Sequence, residues 1–255
     1  MRPLLTSLLF LAVVCLGCFA AVAADTPRLR DDSARYLFEL VNQERVAVGL
    51  APLKWDNALA VAAERHAERM AANGSISHQY AGEPDLPERF GAEGARFSAA
   101  AENVALNGTV NGLHSAWMHS PGHRANILDT NMTELGVAVV KVSGRMYAVE
   151  DFARGVASVP LDEQERRVGR MVAARGLTLA PYREEARRVC EGGRVARGER
   201  RPLFTMRYTT QDLALLPRQL TDAAASGRYR DAVIGACDSA DSGSFSTYHL
   251  VVLLF

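Results

Sequence analysis

The sequence predicts a layered α/β protein, with amphipathic helices lying on a sheet built around a β-hairpin. Three observations predict it. Leu37, Leu40 and Val41, and then Leu59, Ala63, His66 and Met70, recur at helical spacing. Leu135–Val142 and Met146–Phe152 are apolar runs joined by Ser143-Gly144, a two-residue turn signal. Beyond residues 154–162, a plausible linker, helix-like and strand-like segments start again.

The first helix is expected from about Ser33 to Val48. Asp31 and Asp32 place negative charge at its positive end, and Gly49 can close it. Asp56 caps a second helix that ends at Gly74. His66 falls on the apolar face of that helix, where a hydrogen-bonded core histidine is the expected role rather than a site residue. Residues 80–108 read as a long loop broken by Pro84, Pro87, Gly91 and Gly94, with Ala99–Ala105 as a short helix carrying Glu102. Val110, Leu113 and Trp117 mark a third helix, and His114 and His119 beside it are expected to face solvent. Ser120 reads as an N-cap with Pro121 at the first helical position, where its missing N–H costs nothing. His123 then lies in the first turn, where the helix dipole disfavours a protonated imidazole. Leu135–Val142 is apolar on both faces, as a buried strand requires.

The second half predicts a helix from Glu163 to Gly176 and another from Pro181 to Glu191 that carries Cys190. A strand Leu203–Tyr208 follows, then a helix with Leu213, Leu216 and Leu220, then strands Ala232–Cys237 and Tyr248–Phe255. Gly176–Tyr182 echoes Gly49–Trp55, and Asp231–Ala236 echoes Glu134–Val139. The half reads as a degenerate second copy of the first. The rivals are an unrelated α+β domain, or an extension packed on the first domain. Its one histidine is His249.

Arg2, an apolar run from Leu4 to Ala20 and Ala21-Val22-Ala23-Ala24 before Asp25 have the layout of a signal peptide over residues 1–24. The rival is an uncleaved anchor. Cleavage leaves about 230 residues, 28 of them basic and 29 acidic, which argues against a nucleic-acid binder driven by counterion release. Cys15 and Cys18 go with the leader. Cys190 and Cys237 remain, and an even pair in an oxidising compartment predicts one disulfide. Three Asn-X-Ser/Thr triplets, at Asn73, Asn107 and Asn131, are read as chance.

The chemistry centres on His78, Glu102 and His123, carried by Ser77-His78-Gln79, Ala101-Glu102-Asn103 and Ser120–Leu128. Two imidazoles and a carboxylate are a ligand set for zinc and related divalent ions, and they can also transfer protons without a metal. Their spacing fits no helical metal motif, so a shared site needs the fold to gather three segments.

These segments resemble the CAP superfamily of cysteine-rich secretory, antigen 5 and pathogenesis-related proteins, in the form of its bacterial secreted relatives. The resemblance covers roughly residues 33–153. It rests on Leu40-Val41-Asn42-Gln43-Glu44-Arg45, Leu53-Lys54-Trp55-Asp56, the helix ending in Met70 before Ser77-His78, Ala101-Glu102-Asn103, Trp117–Leu128 and Tyr147–Phe152. It implies an α-β-α sandwich with an antiparallel central sheet over residues 30–155; the residue pattern beyond the linker adds a smaller α+β domain over 163–255. The resemblance also implies a cleft of two histidines and two acidic residues. His78, Glu102 and His123 match three of the four. The fourth has no acidic counterpart between Leu113 and Ser120, with Glu134 and Glu150 as substitutes, and Ala101 stands where the family usually has glycine.

Two function classes follow. One is a secreted or periplasmic binding module that presents the cleft to a lipid, glycan or protein, with a divalent metal such as zinc on His78 and His123. It has no membrane span after signal cleavage and no nucleic-acid partner. The other is a metal-assisted hydrolase of cell-envelope substrates with Glu102 as base.

Overall fold

In this computed structural model, residues 32–195, 200–238 and 245–255 are described. The leader 1–24, its cleavage point, Cys15 and Cys18 lie outside them. All described residues belong to one compact unit.

Local signals set the first half. Helix α1 (Asp32–Ala47) buries Leu37 and Val41, with Leu40 partly buried beside them. Gly49 follows in the left-handed region at φ 80°. Strand β1 (Lys54–Trp55) leads into α2 (Asn57–Asn73), whose first turn is capped by the Asp56 carboxylate accepting from the Leu59 N–H at 2.8 Å. Gly74, at φ 64°, closes α2 where the carbonyls of its last turn need donors. Leu59, Ala63, His66 and Met70 are all buried, as their spacing predicts.

The 80–108 region differs from expectation. Asp85 and Glu88 form a reciprocal capping box that starts a short helix, α3 (Leu86–Ala92). Ala99–Ala105 is not a helix: it lies inside strand β2 (Phe97–Asn107). Alanine favours a helix over most residues by only a few tenths of a kcal/mol each. Against that, β2 forms an antiparallel ladder with β4 (Arg145–Gly155) from Ala99↔Arg154 to Asn107↔Met146. Each ladder hydrogen bond contributes about 1 kcal/mol net. Burial of Val104 on one face and Ala105 on the other adds to that, so tertiary pairing wins.

Helices α4 (Val110–His119) and α5 (Pro121–Ile127) follow, then β3 (Glu134–Val142), which turns through Ser143-Gly144 into β4. Ser120 is the cap residue of α5 but makes no side-chain cap bond, so Pro121 alone marks that start. The sheet order is β1-β3-β4-β2. It is mixed rather than purely antiparallel, because β1 runs parallel to β3. Leu37, Val41, Leu113, Trp117 and Ile127 from α1, α4 and α5 cover one face, and Ala63, Ala67 and Met70 of α2 cover the other. These are the three layers of an α-β-α sandwich.

The second half repeats this plan. It runs α6 (Leu161–Ala173), β5 (Thr178–Leu179), α7 (Arg183–Cys190), β6 (Phe204–Thr210), α8 (Arg218–Ala225), β7 (Asp231–Cys237) and β8 (Tyr248–Leu254). Its sheet order is β5-β7-β8-β6, with β5 parallel to β7 and the other two ladders antiparallel, as in the first sheet. Strand order and ladder sense therefore support a degenerate repeat. The register Thr178↔Asp231 matches Lys54↔Glu134, so the Asp231 echo is in register. The Gly176 echo is not: Leu179 falls opposite Trp55, three residues off the sequence match. Two glycines serve one purpose in the two copies. A Cβ on Gly136 would meet the Leu59 and Ala60 backbone of α2 at 2.2 Å, and one on Gly235 would meet Ala186 of α7 at 2.4 Å. Leu213 and Leu216 precede α8 rather than lying in it, because Pro217 sets its N-cap. Cys190, ending α7, is bonded to Cys237, ending β7, with Cα atoms 5.8 Å apart.

Candidate functional site

Strand β2 is the edge of the first sheet, and its pair Glu102-Asn103 points to both faces at once. The Glu102 side chain lies on the α2 side. Its Oε1 is 2.8 Å from Nδ1 of His78, and its Oε2 accepts from Nη2 of Arg89 at 2.7 Å. Asn103 lies on the α5 side. Its Nδ2 donates to the His123 carbonyl at 3.1 Å and to Glu150 at 3.0 Å, and its Oδ1 accepts from Asn126 Nδ2 at 2.9 Å. Two adjacent strand residues thus hold the two histidine segments, one from each layer.

The imidazoles differ in electrostatics. The hydrogen bond to Glu102 raises the His78 pKa, against the opposing effect of burial. His78 keeps 61% of its side chain exposed, so its second nitrogen is open to a ligand. His123 is half-buried, and burial, then the His78 charge, lower its pKa. Expectation had the helix dipole doing this; desolvation leads instead. The Asn103 bond to the His123 carbonyl sets that segment next to the Glu102 that holds His78.

Behind Glu102 lies a buried network that sequence reasoning missed. Arg89, on α3, also donates to the His78 carbonyl at 3.2 Å. His66 is wholly buried, its Nδ1 2.8 Å from Glu83 and its Nε2 2.8 Å from the Ser77 carbonyl. It is the satisfied core histidine expected of it, and it steadies the segment that carries His78. Burial works to raise the Glu83 pKa, but bonds from His66 and the Tyr80 N–H outweigh it and hold it low. Asp151 faces Glu102 across the ladder, and Glu150 faces Asn103. Burial first, then the Glu102 charge, hold the Asp151 pKa well above the usual range. Burial lifts that of Glu150 to about 8. The sequence signal was available: two adjacent polar pairs, Glu102-Asn103 and Glu150-Asp151, interrupt strands that are otherwise apolar.

Of the two substitutes for a fourth acidic residue, Glu150 lies beneath the site on the Asn103 face. Glu134 is directed elsewhere: its carboxylate lies over Gly155, the last residue of β4. His119 is exposed as expected. His114 is not: its side chain is 12% exposed and its Nε2 is 3.4 Å from Glu44.

Among the described residues, no three His, Cys, Asp or Glu side chains are arranged to hold a metal ion. Glu102 has both oxygens engaged. The Glu102 bond to Nδ1 orients His78 and leaves its other ring nitrogen on the exposed side. Among the described residues, no helix is long and apolar enough to cross a membrane.

The model of the CAP family, the cysteine-rich secretory protein family, matches residues 38–152. Two Bacillus subtilis strain 168 proteins align with this chain. The uncharacterized membrane protein YlbC is 33% identical over 129 residues, which is 50% of this chain and 36% of YlbC. The uncharacterized protein YkwD is 36% identical over 113 residues, 43% of this chain and 42% of YkwD. The chain thus spans well under half the length of either relative. An extracellular SCP-domain protein from Bacillus anthracis strain Ames is 30% identical, covering 48% of this chain and 40% of that one, with a TM-score of 0.44. An outer surface protein from Borrelia burgdorferi is 21% identical, covering 49% of this chain and 94% of that one, with a TM-score of 0.46. With the histidine segments, the three layers and the matching stretch all coinciding, residues 38–152 are a CAP domain of the cysteine-rich secretory protein superfamily, on its bacterial branch.

Proposed function

We propose that this chain is a secreted binding module. Its CAP domain, residues 30–155, presents the cleft around His78, Glu102 and His123 to a lipid, glycan or protein, and residues 163–255 form a second, site-less unit. A divalent ion such as zinc on His78 and His123 is part of this reading; bound there, it would offer a Lewis-acid anchor for an oxygen of the ligand. The observation that carries the reading is the double hold of Glu102-Asn103 on the two histidine segments. It preorganises an exposed imidazole beside a neutral one without using either for the core.

The hydrolase alternative has less support. A general base must reach the substrate's proton, and Glu102 is buried with one oxygen bonded by His78 and the other by Arg89. Buried Asp151 and Glu150 are held protonated and cannot replace it near neutral pH.

Calorimetric titration with zinc tests the reading. Binding should strengthen as pH rises through the imidazole range, because a protonated ring cannot ligate. His123→Ala should abolish it. Equal zinc binding by wild type and His123→Ala would refute the ligand assignment. Turnover of peptidoglycan or ester substrates that disappears in a His78→Ala/His123→Ala double mutant would favour the hydrolase.

A further inference from the structure

The turn between β7 and β8 departs from its counterpart in the first half. Val140 pairs with Tyr147 and six residues join them, whereas Cys237 pairs with His249 and eleven residues join them. The last residues of the longer loop cross to the first sheet. The Ser246 N–H donates to the Phe97 carbonyl at 2.7 Å. The Phe245 ring stands edge-on to Phe97 at 5.5 Å, and Phe97 stands edge-on to Phe90 at 5.3 Å. Phe97 and Phe90 are wholly buried. At the start of β8, Tyr248 Oη donates to the Ala157 carbonyl, just past the end of β4, at 2.6 Å.

Phe90 is the neighbour of Arg89 on α3, and Arg89 reaches Glu102 and the His78 carbonyl. An unbroken line of contacts therefore runs Phe245, Phe97, Phe90 and Arg89 to Glu102 and His78. Among the described residues, the second half does not repeat this cluster at the matching ladder positions; its buried Glu165 pairs with Arg187 and the Ala236 N–H instead. At the register positions of Glu102, Asn103, Glu150 and Asp151 it carries Thr205, Met206, Val252 and Leu253. The root of the crossing loop is tied down, because Cys237 ends β7 in the bond to Cys190.

We propose that the second half is a brace for the first-half cleft, with Phe245 and Ser246 as its positioning residues. They clamp the corner between α3 and β2, which keeps the Arg89 guanidinium against Glu102 and so sets the orientation of His78. Duplication followed by loss of the polar cluster left a unit whose surviving task is mechanical. The brace relies on the cleft reading for its purpose and not for its existence, so it is tested without metal or ligand.

The test is NMR on the full chain from Asp25, following the Arg89 Nε–H resonance and backbone amide exchange. Phe245 is 46% exposed, so Phe245→Ala should leave the fold intact. The expected result is loss or broadening of the Arg89 signal, with amide exchange faster by about tenfold over residues 86–103 and unchanged in β7 and β8. Phe245→Tyr keeps the edge-on ring and should restore both. An unchanged Arg89 signal in Phe245→Ala would overturn the proposal. So would faster exchange spread evenly over both sheets, which would make Phe245 a general stabiliser. Failure of zinc or ligand binding at the cleft would leave these signals as they are.

Discussion

Glu102 and Asp151 stand directly opposite each other across the β2–β4 ladder, two carboxyls on one buried face of the sheet. Both cannot ionise cheaply at that separation in a poor dielectric. The pair resolves the conflict by dividing labour. Glu102 takes the Arg89 guanidinium and the His78 ring, while no N–H or hydroxyl of the described residues bonds either Asp151 oxygen, and Asp151 keeps its proton. The charge that orients the cleft is thereby placed on the residue nearest the solvent.

Glu102→Gln should therefore lower the His78 pKa, since the bond to Glu102 is the leading cause of its elevation. His78 titrates from the protonated side in wild type at higher pH than an ordinary imidazole, and the variant should move toward the usual value of about 6.5. NMR titration of the ring protons measures it. Asp151→Asn, which replaces a group already neutral, should shift His78 far less. Equal shifts in the two variants would contradict this division of roles.

Glu150 gives a stability prediction with a definite sign. Its folded pKa, about 8, lies above the ordinary 4.5. The folded state thus binds the extra proton between those values, so the contribution is full below about pH 4.5 and is lost as pH rises toward 8. Across the window the loss amounts to several kcal/mol. Glu150→Gln keeps the bond to Asn103 and has no proton to lose. Urea unfolding at pH 5, 6.5 and 8 should show wild type weakening and the variant staying flatter. Parallel curves would place the Glu150 pKa in the ordinary range.

Much of the fold could be read from local rules. Asp56 and Gly74 bound α2 as predicted, and Ser143-Gly144 makes the hairpin. Of the residues singled out by type and segment, His78 and Glu102 are in contact, and Asn103, next to Glu102, holds the His123 carbonyl. What failed did so for tertiary reasons. Ala99–Ala105 has helical composition, but its partner strand β4 lies more than forty residues away, and local propensity cannot see it. Arg89, Glu83 and His66 were not recognised as one network because their link to Glu102 depends on α3, a helix hidden in a proline- and glycine-rich stretch. The reach of Phe245 to Phe97 spans almost the whole second half and has no local signature at all.

Gly136→Ala should be strongly destabilising. The new Cβ would lie 2.2 Å from the Leu59 and Ala60 backbone, and a helix backbone cannot step aside as a side chain can. Overpacking of this kind costs about 1–3 kcal/mol or more. Gly122→Ala, which meets nothing within 4 Å, is the control and should cost far less. Thermal melts of both variants check it. Equal melting temperatures would mean that α2 does not press on β3 as closely as the structure has it.

The Cys190–Cys237 bond supplies the last prediction. It joins the end of α7 to the end of β7, elements that face each other across the second sandwich. The sequence separation is 47 residues. Cross-linking a loop of that length restricts the unfolded chain and stabilises the fold by about 4 kcal/mol. The second half also lacks the side-chain caps that steady the first. Neither α6 nor α7 nor α8 has a side-chain cap bond, whereas α2, α3 and α4 each do. The disulfide therefore carries more of the burden there than it would in the CAP domain. In protein starting at Asp25, denatured without reductant, a thiol reagent should label nothing. The double variant Cys190→Ala/Cys237→Ala should lose stability by about that amount, and amide exchange should rise first in α7 and β7. Two reactive thiols in the denatured protein would rule the bond out, and exchange rising first in the first sheet would show that the stabilisation is not local to the second half.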